Sequence, residues 1–127
     1  MLELTENLWI ILDTGLVIFT YLKEENVNPD LFGGLISVLD NFAEETLEGG
    51  LEFFEIDPNV YGVIKKHNLI FLASTSQKID IDNLLTELEM LIKKFYSIYP
   101  TDIKEKWDGN RDHFNNFKNE IINIKKL

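Results

Sequence analysis

Asp13-Thr14-Gly15, placed directly behind the apolar run Leu8 to Leu12, is the stretch whose residue types and order suggest bond-breaking chemistry. An Asp-Thr-Gly after two apolar residues is how aspartic hydrolases present a carboxylate that activates water. Two such carboxylates sharing one proton supply a general acid and a general base. The motif occurs once, so this chemistry would require a dimer in which two Asp13 side chains meet. The context weighs against it. Such enzymes usually follow the Gly with Ser, Thr or Ala, and here Leu16 follows; they are also almost entirely β, whereas this chain devotes three segments to helix. The plainer reading is a tight turn, in which Asp13 bonds its own backbone and Gly15 tolerates the conformation. A dimeric aspartic hydrolase using Asp13 stays as a remote alternative.

Other chemistry-bearing residues are scattered. His67 falls in a turn-like break and His113 at the start of the last helix, without a second His or Cys at ligand spacing, so no metal site is expected. Glu44, Glu45 and Glu48 line the solvent side of a helix. No glycine-rich loop joins a strand to a helix through Lys-Ser/Thr, so no nucleotide-binding loop is expected. The expectation is no enzyme activity and no cofactor.

The elements that would position these residues follow from periodicity. Leu8 to Leu12 is a continuous apolar run, as expected of a central strand covered on both faces. After the Asp-Thr-Gly turn, Leu16 to Leu22 is rich in β-branched and aromatic residues, completing a hairpin signal. Asn28-Pro29-Asp30 then opens a helix that runs to about Leu47 and stops at Gly49-Gly50. Leu31, Leu35, Val38, Leu39 and Phe42 share one side of it, and Phe32, Ile36, Ala43 and Leu47 widen the arc to about half the cylinder, more than a single layer needs. Three strands follow at Leu51–Ile56, Val60–Ile64 and Leu69–Ser74, with turns at 57–59 and 66–68. Asp80 or Asp82 caps a second helix carrying Ile81, Leu84, Leu85, Leu88, Leu91, Ile92, Phe95 and Tyr99, and Pro100 ends it. A loop with Trp107 and Asp108-Gly109 leads to a last helix with Phe114, Phe117, Ile121 and Ile124.

The order is thus β-β-α-β-β-β-α-α in one domain, residues 1–127. A five-stranded antiparallel sheet that is apolar on both sides needs a layer on each. One helix would cover one face and two the other, an α+β fold.

Composition narrows the function classes. The chain carries a net charge of −10 and no cysteine. Residues 1–64 hold 13 acidic residues against one Lys, a balance of −12; residues 65–127 hold nine against 11 Lys and Arg, a balance of +2. So acidic a first half repels phosphate backbones, which argues against nucleic acid and favours a partner with a basic face. The absence of Cys fits a reducing compartment. No apolar run is long enough to span a bilayer, and the acidic start is unlike a signal peptide, so a cytoplasmic protein is expected. Lys65, Lys66 and His67 form a small basic tip, with Lys125 and Lys126 elsewhere, enough for weak peripheral membrane contact at about 1 kcal/mol per Lys.

The local text resembles the longin family, a relative of the roadblock and profilin-like folds. "LFGGLISVLDNFAEETLEGGLEFFEI" resembles the longin first helix and third strand, "NLIFLASTS" the fifth strand, and "LWIILDTGLVIF" the opening hairpin. The likeness spans almost the whole chain and is nearest to stand-alone, archaeal-type longin-like proteins. It implies a non-catalytic module that pairs with itself or with another longin or roadblock domain. It also implies a platform for small Ras-like GTPases or a subunit of a trafficking-type adaptor or tethering complex. The sequence ends without the coiled coil and anchor of the fusion-protein members, so a bare domain acting through its surface is expected.

Candidate contact residues follow. Gly33 and Gly34 each cost about 1 kcal/mol inside a helix, so close backbone approach, to the protein's own sheet or to a partner helix, is expected there. Phe32, Ile36 and Leu47 flank the wide arc, either capping the sheet edge or exposed for pairing. Leu51 and Phe53 lie on the strand expected at that edge, an aggregation hazard unless a second subunit covers it.

Overall fold

The computed structural model describes residues 4–23, 36, 41, 52–56 and 58–126. Five strands form one antiparallel sheet: β1 (Asn7–Leu12), β2 (Val17–Tyr21), β3 (Phe53–Ile56), β4 (Asn59–Lys66) and β5 (Leu69–Thr75), in the order β2-β1-β5-β4-β3. The two strands with unbroken apolar text, β1 and β5, sit side by side in the middle. Leu8 to Leu12 and all seven residues of β5 are buried. Strands covered on both faces have no use for a polar alternation, which is why these two show none.

Alternation instead sorts their side chains between two cores. Leu8, Ile10 and Leu12 join Leu69, Phe71 and Ala73 on one face; Trp9 and Ile11 join Ile70 and Leu72 on the other. A bulge between Ile10 and Ile11 makes Ile18 an extra residue in β2, so Ile18 and Phe19 both feed the first core while Val17 feeds the second.

The first core is roofed by helix α1 (Ile81–Ile98) and helix α3 (Asn115–Lys126), joined through the single turn α2 (Ile103–Lys106) and a 3₁₀ turn at Arg111–Phe114. Asp80 is the α1 cap: its carboxylate accepts from the Asp82 N–H at 3.1 Å. Leu84, Leu88, Leu91, Ile92 and Phe95 on α1 are buried, each contributing roughly 1.5–3 kcal/mol of apolar burial. Phe95 is the hub, with ring centroids 4.8–6.0 Å from Phe71, Tyr96, Tyr99, Phe114 and Phe117.

The expected fold class stands: an α+β protein with a five-stranded antiparallel sheet. Strand bounds shift by a residue or two, and β4 runs on to Lys66 so that the following turn holds only His67 and Asn68. The stretch from 101 to 112, expected as loop, contains α2 and the first half of the 3₁₀ turn. The expected first helix lies outside the described residues except for Ile36 and Asn41, both helical. Ile36 is completely buried in the second core among Trp9, Ile11, Val63 and Leu72, which marks that face as covered.

Candidate functional site

Asp13 is part of a structural latch. The Gly15 N–H donates to Leu12 O and the Leu12 N–H to Leu16 O, both at 2.8 Å, and Gly15 has φ 98°. A side chain at position 15 would be strained in this conformation, so the Gly belongs to the turn. The Lys104 ammonium on α2 donates to Asp13 Oδ1 at 2.7 Å, with both side chains about one-third exposed. A carboxylate tied to a cation in this way pins the β1–β2 hairpin to the connection between α1 and α3. The α+β sheet around it is not the mostly β framework of an aspartic hydrolase.

The two sheet edges differ in how they meet solvent. At the β2 edge, Val17 to Thr20 line a groove of about 190 Å³ whose other wall is Arg111, Asp112, Asn115 and Lys118. Polar and charged arms beside an edge strand discourage another strand from docking there. At the opposite edge β3 pairs, among the described residues, with β4 alone. Its apolar side chains are open: Phe53 is 48% exposed and Ile56 55%. Phe54 is held down by stacking on its cross-strand partner Tyr61, with ring centroids 4.6 Å apart and planes within 6°.

The backbone of β3 also points outward. The Val63 N–H donates to Glu52 O at 2.8 Å, which makes that a hydrogen-bonded pair. Pairs alternate along an antiparallel ladder, so Phe54–Tyr61 is the next bonded pair. Phe53 and Glu55 therefore direct their N–H and C=O groups to the open edge. Two donors and two acceptors beside an exposed Phe are what an added strand requires.

The expected contact residues divide three ways. Phe53 lies on this edge and is accessible. Phe32, Gly33, Gly34, Leu47 and Leu51 lie outside the described residues. Ile36, expected either to cap the sheet edge or to be exposed for pairing, is a core residue: it has no exposed surface and packs with Trp9 and Val63, so it is not available to a partner. A half-cylinder of apolar residues has two flanks, and periodicity alone cannot say which one turns inward. Ile56 was not among the contact candidates, although an apolar residue at the end of an edge strand is a usable signal.

The remaining electrostatics are local. Lys125 lies over the Tyr21 ring at 5.0 Å; burial lowers its pKa, and Glu87 and Glu6 oppose that shift. Lys65, Lys66 and His67 are all exposed at the β4–β5 tip. Among the described residues no group of His, Cys, Asp and Glu could hold a metal ion, and no helix is long and apolar enough to cross a membrane.

No protein-family model matches the chain, and neither does any curated protein sequence. Solved structures do resemble it. The roadblock/LC7 domain from Streptomyces avermitilis superposes with a TM-score of 0.61 at 18% identity, covering 76% of this chain and 86% of that one. Myxococcus xanthus MglB superposes with a TM-score of 0.55 at 12% identity, covering 73% of this chain and 85% of that one. At these identities the likeness is one of fold, and the fold is that of the longin and roadblock group.

Proposed function

We propose that this roadblock-fold chain is a non-catalytic interaction module that pairs through β3 and, once paired, offers a platform to a small Ras-like GTPase. The observation that carries the pairing is the contrast between edges. β3 presents Phe53, Ile56 and outward backbone groups, whereas β2 is flanked by Arg111, Asp112, Asn115 and Lys118. An exposed apolar edge is a liability in a monomer and an asset in a dimer. The occupant is a second copy of this chain or another longin or roadblock domain, its β3 extending the sheet.

The GTPase rests on the sequence resemblance to longin domains, joined to the acidic balance of residues 1–64, which suits a partner with a basic face. A cytoplasmic location accompanies it. A structural role in an adaptor or tethering complex, without GTPase contact, is the second reading.

Multi-angle light scattering tests the pairing: a dimer is expected, and a monomer at high concentration would sink it. Pull-down with GDP- and GTP-loaded small GTPases tests the platform. Capture that depends on the bound nucleotide supports it; a dimer that captures neither form leaves the structural subunit as the reading.

A further inference from the structure

A second surface lies on the helical side of the sheet, over β4. An open groove of about 690 Å³ runs between α1 and the end of β4. Its apolar part is built from Ile64, Met90 and the Tyr96 ring, and its rim carries Lys66, His67 and Lys93. Met90 is 39% exposed on a helix whose Leu, Ile and Phe positions are otherwise buried or half-buried. An unbranched thioether at such a place gives an adaptable apolar contact.

The tip that closes the groove is strained. His67 and Asn68 have φ of 52° and 68°, a two-residue turn with both central residues left-handed. Gly is the residue this turn favours, and His adopts the conformation at a cost. Tyr96 holds the tip in place: its hydroxyl donates to Lys66 O at 2.9 Å, and its ring meets the His67 imidazole edge-on at 5.0 Å. Burial pushes the Tyr96 pKa up to about 12, so this wall stays an uncharged phenol. The strain thus presents an imidazole and a lysine at the mouth of an apolar slot.

The charge of the groove is opposite to that of the chain. Among the described residues that line it, two Lys face one carboxylate, Glu89, in a molecule of net charge −10. We propose that the groove between α1 and the β4–β5 tip docks an acidic, amphipathic segment of a partner protein. Its apolar residues would cover Ile64, Met90 and the Tyr96 ring, and its carboxylates would face Lys66 and Lys93. A short segment meets only this local field. A nucleic acid or an anionic bilayer would also meet the acidic body and be repelled. Among the described residues, none that lines the groove belongs to β3.

The chain has two methionines, Met1 and Met90, so a ¹³C-methyl methionine label places a reporter in the groove. The probe is a synthetic helical peptide with Leu at i, i+4 and i+7 flanked by Glu, compared with the same peptide carrying Lys in place of Glu. The Glu peptide is expected to shift the Met90 methyl and leave Met1 unmoved. Lys93→Glu, an exposed substitution that the fold tolerates, should weaken binding about tenfold by replacing an attraction with a repulsion. Lys118→Glu on α3 should leave it unchanged. The proposal is overturned if the Met90 methyl does not move, if the Lys peptide binds equally well, or if Lys93→Glu has no effect. It is also overturned if the methyl responds only to the protein's own concentration, which would make a second copy the occupant. A response to phosphatidylserine vesicles without one to the peptide would likewise replace the protein segment with a membrane.

Discussion

Phe53→Lys is the sharpest probe of pairing through β3. Phe53 retains 48% of its surface. With roughly 200 Å² for a buried Phe, a docked strand would cover about 100 Å² of that ring. At about 25 cal/mol per Å² this is about 2.4 kcal/mol for each copy. A two-fold pair uses the contact twice, so about 5 kcal/mol is at stake. The Lys stem recovers part of the contact, while two ammonium groups are brought together across the edge. The net expectation is a rise of about a thousandfold in the dimer dissociation constant. The monomer itself should lose no more than about 0.5 kcal/mol, because the ring is half in solvent already.

Sedimentation equilibrium from about 1 μM to about 1 mM covers such a change. The wild-type chain should approach twice 14.8 kDa within that range, and the variant should stay near the monomer mass. Urea midpoints measured alongside separate lost pairing from lost folding. If the variant sediments as the wild type does, Phe53 is not at a subunit interface and the contrast between the two sheet edges has no functional meaning.

Breaking the Asp13–Lys104 latch tests the structural role of the Asp-Thr-Gly turn. Asp13→Asn, Lys104→Met and the double variant should reveal a coupling of about 1 kcal/mol in urea unfolding, and none should change peptide cleavage. Zero coupling would refute the latch, and a peptidase activity abolished by Asp13→Asn would refute the non-catalytic reading. Glu6 should give stability an acid dependence. Burial raises its pKa, but the Ser76 N–H and hydroxyl, both donating to Oε1 at 2.8 Å, together with Lys23, outweigh that and hold it below the ordinary value. A carboxylate depressed in the folded state stabilises above its unfolded pKa of about 4.3 and ceases to do so as pH falls through the folded value. The wild type should therefore exceed Glu6→Gln in urea midpoint at neutral pH and converge with it in acid; a constant gap would contradict this. Phe95→Ala empties the centre of the aromatic cluster and should cost about 3–5 kcal/mol by chemical denaturation, an outcome below about 1 kcal/mol showing that the site collapses freely.

The sheet was legible because its pattern is local. Unbroken apolar text in "LWIIL" and "LIFLA" marks the two central strands, and the Leu/Ile/Phe stripe from Leu84 to Tyr99 marks a helix lying on a core. What sequence could not convey is long-range or too short to be periodic. Nothing near Asp13 announces Lys104, 91 residues later in the chain. Four residues such as Ile103–Lys106 make one turn, and one turn has no repeat to detect. Ile36 shows the limit on the candidate site. Its place on a wide apolar arc was readable, but whether it faced the sheet depended on side chains from β1, β4 and β5. Phe53 on an edge strand was readable because a short strand beside turn residues seldom sits in the middle.

The strand order has a consequence for how the molecule is made. Asn7 sits opposite Ser74, 67 residues further along the chain, and every rung between β1 and β5 closes a comparable loop. At roughly 5–20 residues per second, a ribosome needs about 3–13 s after delivering β1 before its inner neighbour exists. Through that interval, and until α1 and α3 follow, the nascent hairpin displays Ile10 and Phe19 on the face that those helices later roof. Newly made chain is therefore most vulnerable to chaperone capture or clumping before β5 emerges, and a fragment cut after β4 should be insoluble.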